Sequence, residues 1–190
     1  MPRYAPSGGI LHHLNMENKI ITKFTIASEE GIALLQMLGE KRGQEKYTGL
    51  FDTTQMENYL FEKFNTATII SNLNTFSNQL IVVYVDDQPA GYAYLSGNGN
   101  VPEAFKDKRL LYLDDFEILE AYKASAARKT LMEKCLNVSK SYEALKTSEN
   151  TNAPEMIAFY EQYGFQEKGQ EEISIAGVTF PSVILIKENI

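Results

Sequence analysis

Tryptophan is absent from this 190-residue chain, cysteine occurs once and histidine twice. A single cysteine, Cys135, excludes an intrachain disulfide. It falls on the apolar stripe of a helical pattern and reads as a small buried hydrophobe rather than a nucleophile. His12 and His13 are adjacent, in a segment flanked by Gly and Pro. Two histidines there are too few for a His-based metal centre, so no metal is expected. No apolar run approaches the roughly 18 residues of a membrane span, and no charged-then-apolar signal segment is visible. The chain therefore reads as soluble and cytoplasmic, with no membrane partner. Positive charge is also scarce, with 18 Lys and Arg against 25 Asp and Glu and a formal net charge of -7. That balance argues against nucleic acid as the main partner. It favours solubility and, more weakly, the steering of a small cation.

What is present is an ordinary globular composition, 44% hydrophobic and 23% charged. Its length suits one domain with a sizeable core. Residues 1–15 differ from the rest, because Pro2, Pro6, Ser7, Gly8 and Gly9 break any periodicity. They read as a disordered leader, with a single domain over 16–190.

Alternation over Lys19 to Ala27 predicts a first strand. Ser28-Glu29-Glu30 caps a helix that Lys41-Arg42-Gly43 closes. Thr53-Thr54-Gln55 opens a second helix, and a third piece follows from Thr66 to Leu73. The β-branched run Leu80 to Val85, the turn Asp86-Asp87-Gln88-Pro89 and the return Ala90 to Leu95 form a hairpin. Arg109 to Leu119 is a long strand, Lys123 to Ser139 a helix with Ala127, Leu131, Cys135 and Val138 on one stripe, and Tyr142 to Thr147 a strand. Pro154 then starts a short helix, where its missing N–H costs nothing. Gly164 stops that helix, and strands Phe165 to Ile175 and Thr179 to Lys187 turn at Ala176-Gly177. Strand–helix–strand units imply parallel pairs, and hairpins at both ends make the sheet mixed.

The stretch Asn152-Ala-Pro-Glu-Met-Ile-Ala-Phe-Tyr-Glu-Gln-Tyr-Gly-Phe165 resembles the C-terminal motif of the GNAT acetyltransferase superfamily, an Asn-Pro pair, a helix ending in Phe/Leu-Tyr, and Gly-Phe. The order of elements from Met16 onward resembles that family as well. Glyoxalase-type metal enzymes carry a similar helix but require His and Glu ligands that this chain does not supply. The resemblance implies the GNAT fold, a mixed α/β (α+β) architecture with a mostly antiparallel central sheet and helices on both faces. It also implies acetyl-CoA as cosubstrate, a primary amine of a small molecule as acceptor, direct attack, and a homodimer among the partners.

In that family the junction after the long strand binds the pyrophosphate of acetyl-CoA, with the pattern Arg/Gln, two residues, Gly, one residue, Gly/Ala. Here Ile118 and Leu119 lead into Tyr122-Lys123-Ala124-Ser125-Ala126-Ala127-Arg128-Lys129. Lys123 takes the Arg/Gln place, Ala126 the first Gly, and Arg128 falls on the second small position. A Cβ at Ala126 costs little if φ stays helical, whereas the long side chain of Arg128 must fold outward. Independently of any family, a helix N-terminus with small residues, three cations and no acid over Lys123 to Lys129 suits a phosphate.

By position in the motif, Tyr160 is the general acid for the CoA thiolate and touches the cofactor, with Tyr163 as its neighbour. The family's Asn is Ala153 here, so Asn152 stands in by a shift of one place. Asp114 and Asp115 interrupt the long strand, and alternation sends one to each face. One of them, Asp114 by preference, serves as base or amine anchor, with Glu117 as a further candidate. Thr48 to Leu60 and Gly91-Tyr-Ala-Tyr-Leu95 are similar to bacterial polyamine (spermidine) acetyltransferases of the superfamily. Those carry Trp on the strand corresponding to Tyr142–Thr147, and this chain has none. A second reading is a GNAT-fold CoA-binding or regulatory module without catalysis, motivated by Ala126 and Arg128.

Overall fold

A computed structural model of the chain describes residues 18–189. The leader read over 1–15, with His12 and His13, lies outside them. One seven-stranded sheet runs in the order β1-β2-β3-β4-β5-β7-β6. Its strands are β1 (Ile20–Thr25), β2 (Gln79–Val85), β3 (Gln88–Ser96), β4 (Leu110–Ile118), β5 (Ala144–Asn150), β6 (Gln166–Ile175) and β7 (Val178–Glu188). Helices α1 (Glu29–Tyr47), α2 (Thr53–Phe64) and α3 (Thr66–Asn74) cover one face. Helices α4 (Ala127–Ser139) and α5 (Pro154–Gln162) cover the other.

Local chemistry explains most boundaries. Ser28 accepts from the Gly31 N–H to cap α1, and Asp52 with Gln55 forms a capping box on α2. Asp86 and Asp87 both take positive φ (49° and 64°), which gives the two-residue loop that joins β2 to β3. Gly164, at φ 86°, ends α5 and turns the chain into β6.

Helix α1 does not stop at Gly43 but continues to Tyr47. The glycine serves close packing rather than termination, since a Cβ there would lie 2.9 Å from the Tyr59 ring of α2. Gly39 likewise makes room for Phe64. The extra turn of α1 carries Lys46 to Glu117 of β4 and buries Tyr47. The second strand–helix–strand unit also departs from expectation. β5 and β6 do not pair, because β7 lies between them, antiparallel to both. Among the described residues the one parallel strand pair is β4 with β5, and it extends only over Leu110–Tyr112 against Ala144–Lys146. Beyond Tyr112 and Lys146 the two strands separate, so the middle of the sheet opens into a cleft.

Candidate active site

The cleft begins where Thr147 on β5 donates its hydroxyl to the Leu113 carbonyl at 2.9 Å, bridging the strands at the point of divergence. Above it, the Leu119 N–H donates to Ala90 at 2.9 Å. Peptide groups alternate along an antiparallel strand, so those of Ile118 and Phe116 turn the other way, towards β5 and the cleft.

Asp114 has no partner across the sheet. Tyr94 pairs with Asp115 and Leu95 with Leu113, which leaves Asp114 as the extra residue of a β-bulge. The expectation that Asp114 and Asp115 face opposite ways is therefore wrong. The bulge breaks the alternation, and both carboxylates line the same cavity.

That cavity, of about 490 Å³, lies between the end of α1, the turn after it, α2 and the β6–β7 hairpin. Tyr47, Leu50, Ile173, Ile175 and Phe180 form its apolar side, with Tyr47 stacked on Phe51 at 4.4 Å between centroids. Asp114, Asp115, Glu117, Glu149, Thr147, Tyr160 and Asn152 supply its polar side. A second cavity, of about 280 Å³, lies towards α4 and is lined by Lys123 and Arg128. The two share Lys46, Phe116, Glu117, Glu149 and Ala153.

The carboxylates differ sharply in their surroundings. Asp115 is paired with Lys63, whose ammonium also lies 5.8 Å from the Tyr59 ring centre. Glu117 binds Arg42 Nε at 2.7 Å and Lys46 Nζ at 2.5 Å. Burial opposes its charge, but the two cations prevail and hold the Glu117 carboxyl below the usual carboxylate range. Glu117 is thus a fixed anion, unsuited to taking a proton. Asp114 has no ion pair among the described residues. Withdrawal from water and the nearby Asp115 push its carboxyl up, against the pull of Ser96, Lys63 and Lys146. Glu149, which the sequence reading did not single out, accepts the Asn150 N–H at 3.0 Å and is pushed up by burial.

Tyr160 is 2% exposed, held by Phe116, Phe159 and Phe165 with ring centres 5.4–6.1 Å away. Its hydroxyl reaches the large cavity beside Thr147. Burial, then Glu149 and Glu117, raise its pKa well above the ordinary tyrosine value, so the phenol stays protonated at neutral pH. Tyr163 instead packs on Phe159, 5.1 Å between ring centres, outside both cavities.

The expected phosphate loop is a single 3-10 turn over Glu120–Tyr122 followed by the start of α4. Ser125 Oγ accepts the Ala127 N–H at 3.2 Å, while Ala126 holds the N-cap position with no side-chain cap. Ala126 has φ -74°, so its Cβ carries no strain. Ala124 and Ala126 are exposed, and Ala127 is fully buried beneath them. Among the described residues nothing accepts the N–H groups of Arg128 and Lys129. The Arg128 side chain folds away from the turn onto Phe159, 5.5 Å from the ring centre. These features fit a pyrophosphate on the helix N-terminus with a chain running down the cleft. Other expected residues are less well placed. Lys123 is paired with Glu120 at 2.5 Å. Lys129 is exposed and lines neither cavity. Ile118 lines the second cavity, but Leu119 turns into the core on the opposite face.

Comparison with known proteins agrees with this architecture. The family model described as an acetyltransferase (GNAT) domain matches residues 27–182. The PaiA N-acetyltransferase of Thermoplasma acidophilum, solved with coenzyme A, superposes with TM-score 0.68 at 14% identity, over 90% of this chain and 99% of that one. A probable acetyltransferase of Staphylococcus epidermidis gives TM-score 0.68 at 14% identity, over 90% and 100%. An N-acetyltransferase of Staphylococcus aureus gives 0.64 at 18% identity, over 90% and 98%. The sheet opened between β4 and β5, the helix start beside it and the matched model agree: this chain belongs to the GNAT acetyltransferase family, whose cosubstrate is acetyl-CoA.

Proposed function

We propose that the protein is an N-acetyltransferase that acetylates a primary amine of a small molecule. The observation that carries this reading is the charge of the large cavity. Its lining holds four carboxylates (Asp114, Asp115, Glu117, Glu149) against two ammonium groups (Lys46, Lys63), and with Arg42 bound to Glu117 the excess is one negative charge beside the Tyr160 hydroxyl. Such a cavity favours a cation, and an amine at neutral pH is one. The likeness of Thr48–Leu60 to polyamine acetyltransferases favours a polyamine among such cations. The single domain over 16–190 is part of the same proposal.

Acetyl-CoA supplies a thioester; the amine nitrogen bonds to its carbonyl carbon, the C–S bond breaks, and its electron pair stays on sulfur. The free N–H groups at the start of α4 hold the pyrophosphate. The cleft-facing peptide groups of Phe116 and Ile118 orient the pantetheine arm, and Asn152 lies beside it. Asp114, free of any ion pair among the described residues, anchors a second cationic group of the acceptor, away from the reacting nitrogen. Tyr160 donates its hydroxyl proton to the departing sulfur. Its raised pKa makes a lasting phenolate unfavourable, so it regains a proton as it gives one up, from the nitrogen that has become an amide.

Tyr160→Phe tests the assignment. Turnover should fall about a hundredfold, while acetyl-CoA binding stays unchanged by calorimetry. Unchanged turnover removes Tyr160 from the role. A binding or regulatory module without catalysis is the second reading, and the Lys123–Glu120 pair favours it by occupying a cation meant for phosphate. Turnover with any primary amine rejects it.

A further inference from the structure

Four carboxylates face the large cavity, and three are excluded as proton acceptors by their place. Asp115 is held by Lys63. Glu117 is held by Arg42 and Lys46. Asp114 is unpaired but does not reach the second cavity, the one that runs to the start of α4. Glu149 alone combines the two properties: it makes no ion pair among the described residues, and it lines both cavities. It sits two residues beyond Thr147, at the open end of the β4–β5 cleft and beside Tyr160.

We propose that Glu149 is a catalytic residue, the base that takes the proton from the acceptor's ammonium where the two cavities meet. This rests on the N-acetyltransferase reading above. The Glu149 carboxylate accepts one proton from the R–NH3+ group, leaving R–NH2 with a free lone pair. That pair forms the C–N bond to the thioester carbon, and the C–S bond breaks with its electrons on sulfur. The nitrogen's surplus proton passes through the Tyr160 hydroxyl to the sulfur, giving the amide and the free thiol. Glu149 then returns its proton to water, and the single proton released balances the charge of the ammonium consumed.

The groups around Glu149 suit this work. Burial pushes the Glu149 carboxyl up, with Glu117 from β4 adding to it, against the pull of Lys46 and Arg42 from α1 and of the Asn150 N–H. Tyr160 and Glu155 from α5, Arg128 from α4, and Glu120 and Lys123 from the turn before it complete the charged and titratable surroundings. The cations next to the site are committed to Glu117, so they do not neutralise Glu149 by contact.

The test compares the wild type with Glu149→Gln and Glu149→Asp, using acetyl-CoA and a panel of primary amines that includes spermidine, 1,4-diaminobutane and 2-phenylethylamine. E149Q should lower kcat/KM at pH 7 by about a hundredfold or more and lose the rising limb set by a carboxylate. Its residual activity should then climb with pH as the amine deprotonates in solution. E149D should recover part of the rate. Acetyl-CoA affinity should remain within about twofold in both, as a check that they fold. Carbon-13 NMR of the carboxyl groups, with Glu149 assigned by the loss of its signal in E149Q, should place its titration above the usual glutamate value of about 4.3. An active wild type with an indifferent E149Q and the same pH profile overturns the base alone, as does a Glu149 that titrates at or below that value. A wild type that binds acetyl-CoA but acetylates no amine of the panel overturns the transferase reading, and the base with it.

Discussion

Replacing Glu117 by Gln perturbs the buried cluster that separates the two cavities. The Glu117 side chain is 12% exposed and holds Arg42 at 2.7 Å and Lys46 at 2.5 Å. Removing one partner of a buried ion pair costs about 3–5 kcal/mol, because the other charge is left in a poor solvent. Two features place this site at the lower end. Lys46 is 37% exposed and can turn to water, which discounts its share. Arg42, at 15% exposed, keeps Glu45 as a weaker partner at 3.7 Å. A loss of about 3 kcal/mol remains, or about 6–12 °C in melting temperature for a chain of this size. The pH dependence has a definite sign. The folded carboxyl lies below its unfolded value, so its contribution is complete above the unfolded pKa of about 4.3 and fades as pH falls through the folded one. The gap between wild type and variant should stay constant from pH 6 to 8, by the approximate ranges of these groups, and close in acid. Differential scanning calorimetry across pH reads both. A difference under about 2 °C at pH 7, or a gap that persists in strong acid, refutes the idea that Glu117 is a charged keystone.

Other perturbations probe the same framework. Gly91→Ala would place a Cβ 2.3 Å from the Glu117 carbonyl and 3.0 Å from the Ile118 Cα, both backbone, so β4 must shift. Denaturant titration should show about 1–3 kcal/mol of lost stability, and acetyl-CoA affinity should fall with it because the cleft-facing peptides move. Glu120→Gln releases Lys123 from its exposed pair. Acetyl-CoA binding should tighten by less than about tenfold, the scale of a surface ion pair, and become more sensitive to salt.

The sequence carries the scaffold in its local signals. Alternation marks β1, the β-branched run and its turn mark β2 and β3, Pro154 and Gly164 bracket α5, and the small residues before Arg128 mark the helix start. These are short-range effects, and the structure follows them within a few residues. The site is legible only in part. Tyr160 and Asn152 line one cavity together with both aspartates, although alternation alone sends Asp114 and Asp115 to opposite faces. The pairing of Asp114 and Asp115 on one side depends on a bulge set by β3, which strand periodicity does not encode. Gly43 looks like a helix stop, yet its role is to admit the Tyr59 ring, a contact between two helices. The insertion of β7 between β5 and β6 is likewise long-range. Local pattern ends the fifth strand at Thr147, whereas β7 pairing extends it to Asn150 and carries Glu149 to the cleft. Lys46 and Lys63 carry no local signal, because their roles come from Glu117 and Asp115 far along the chain.

The central claim is that the start of α4 and the β4–β5 cleft bind acetyl-CoA for transfer, and calorimetric titration of wild type and Ala126→Asp with acetyl-CoA tests it most directly. Ala126 is exposed in the first turn of α4, where an acid favours the helix dipole by about 0.3–1 kcal/mol but repels a pyrophosphate. The wild type should bind at micromolar concentration. The variant should lose affinity at least about tenfold, the equivalent of about 1.4 kcal/mol, with an unchanged or higher melting temperature. No heat from the wild type at millimolar acetyl-CoA, or equal affinity in the two proteins, would contradict the account.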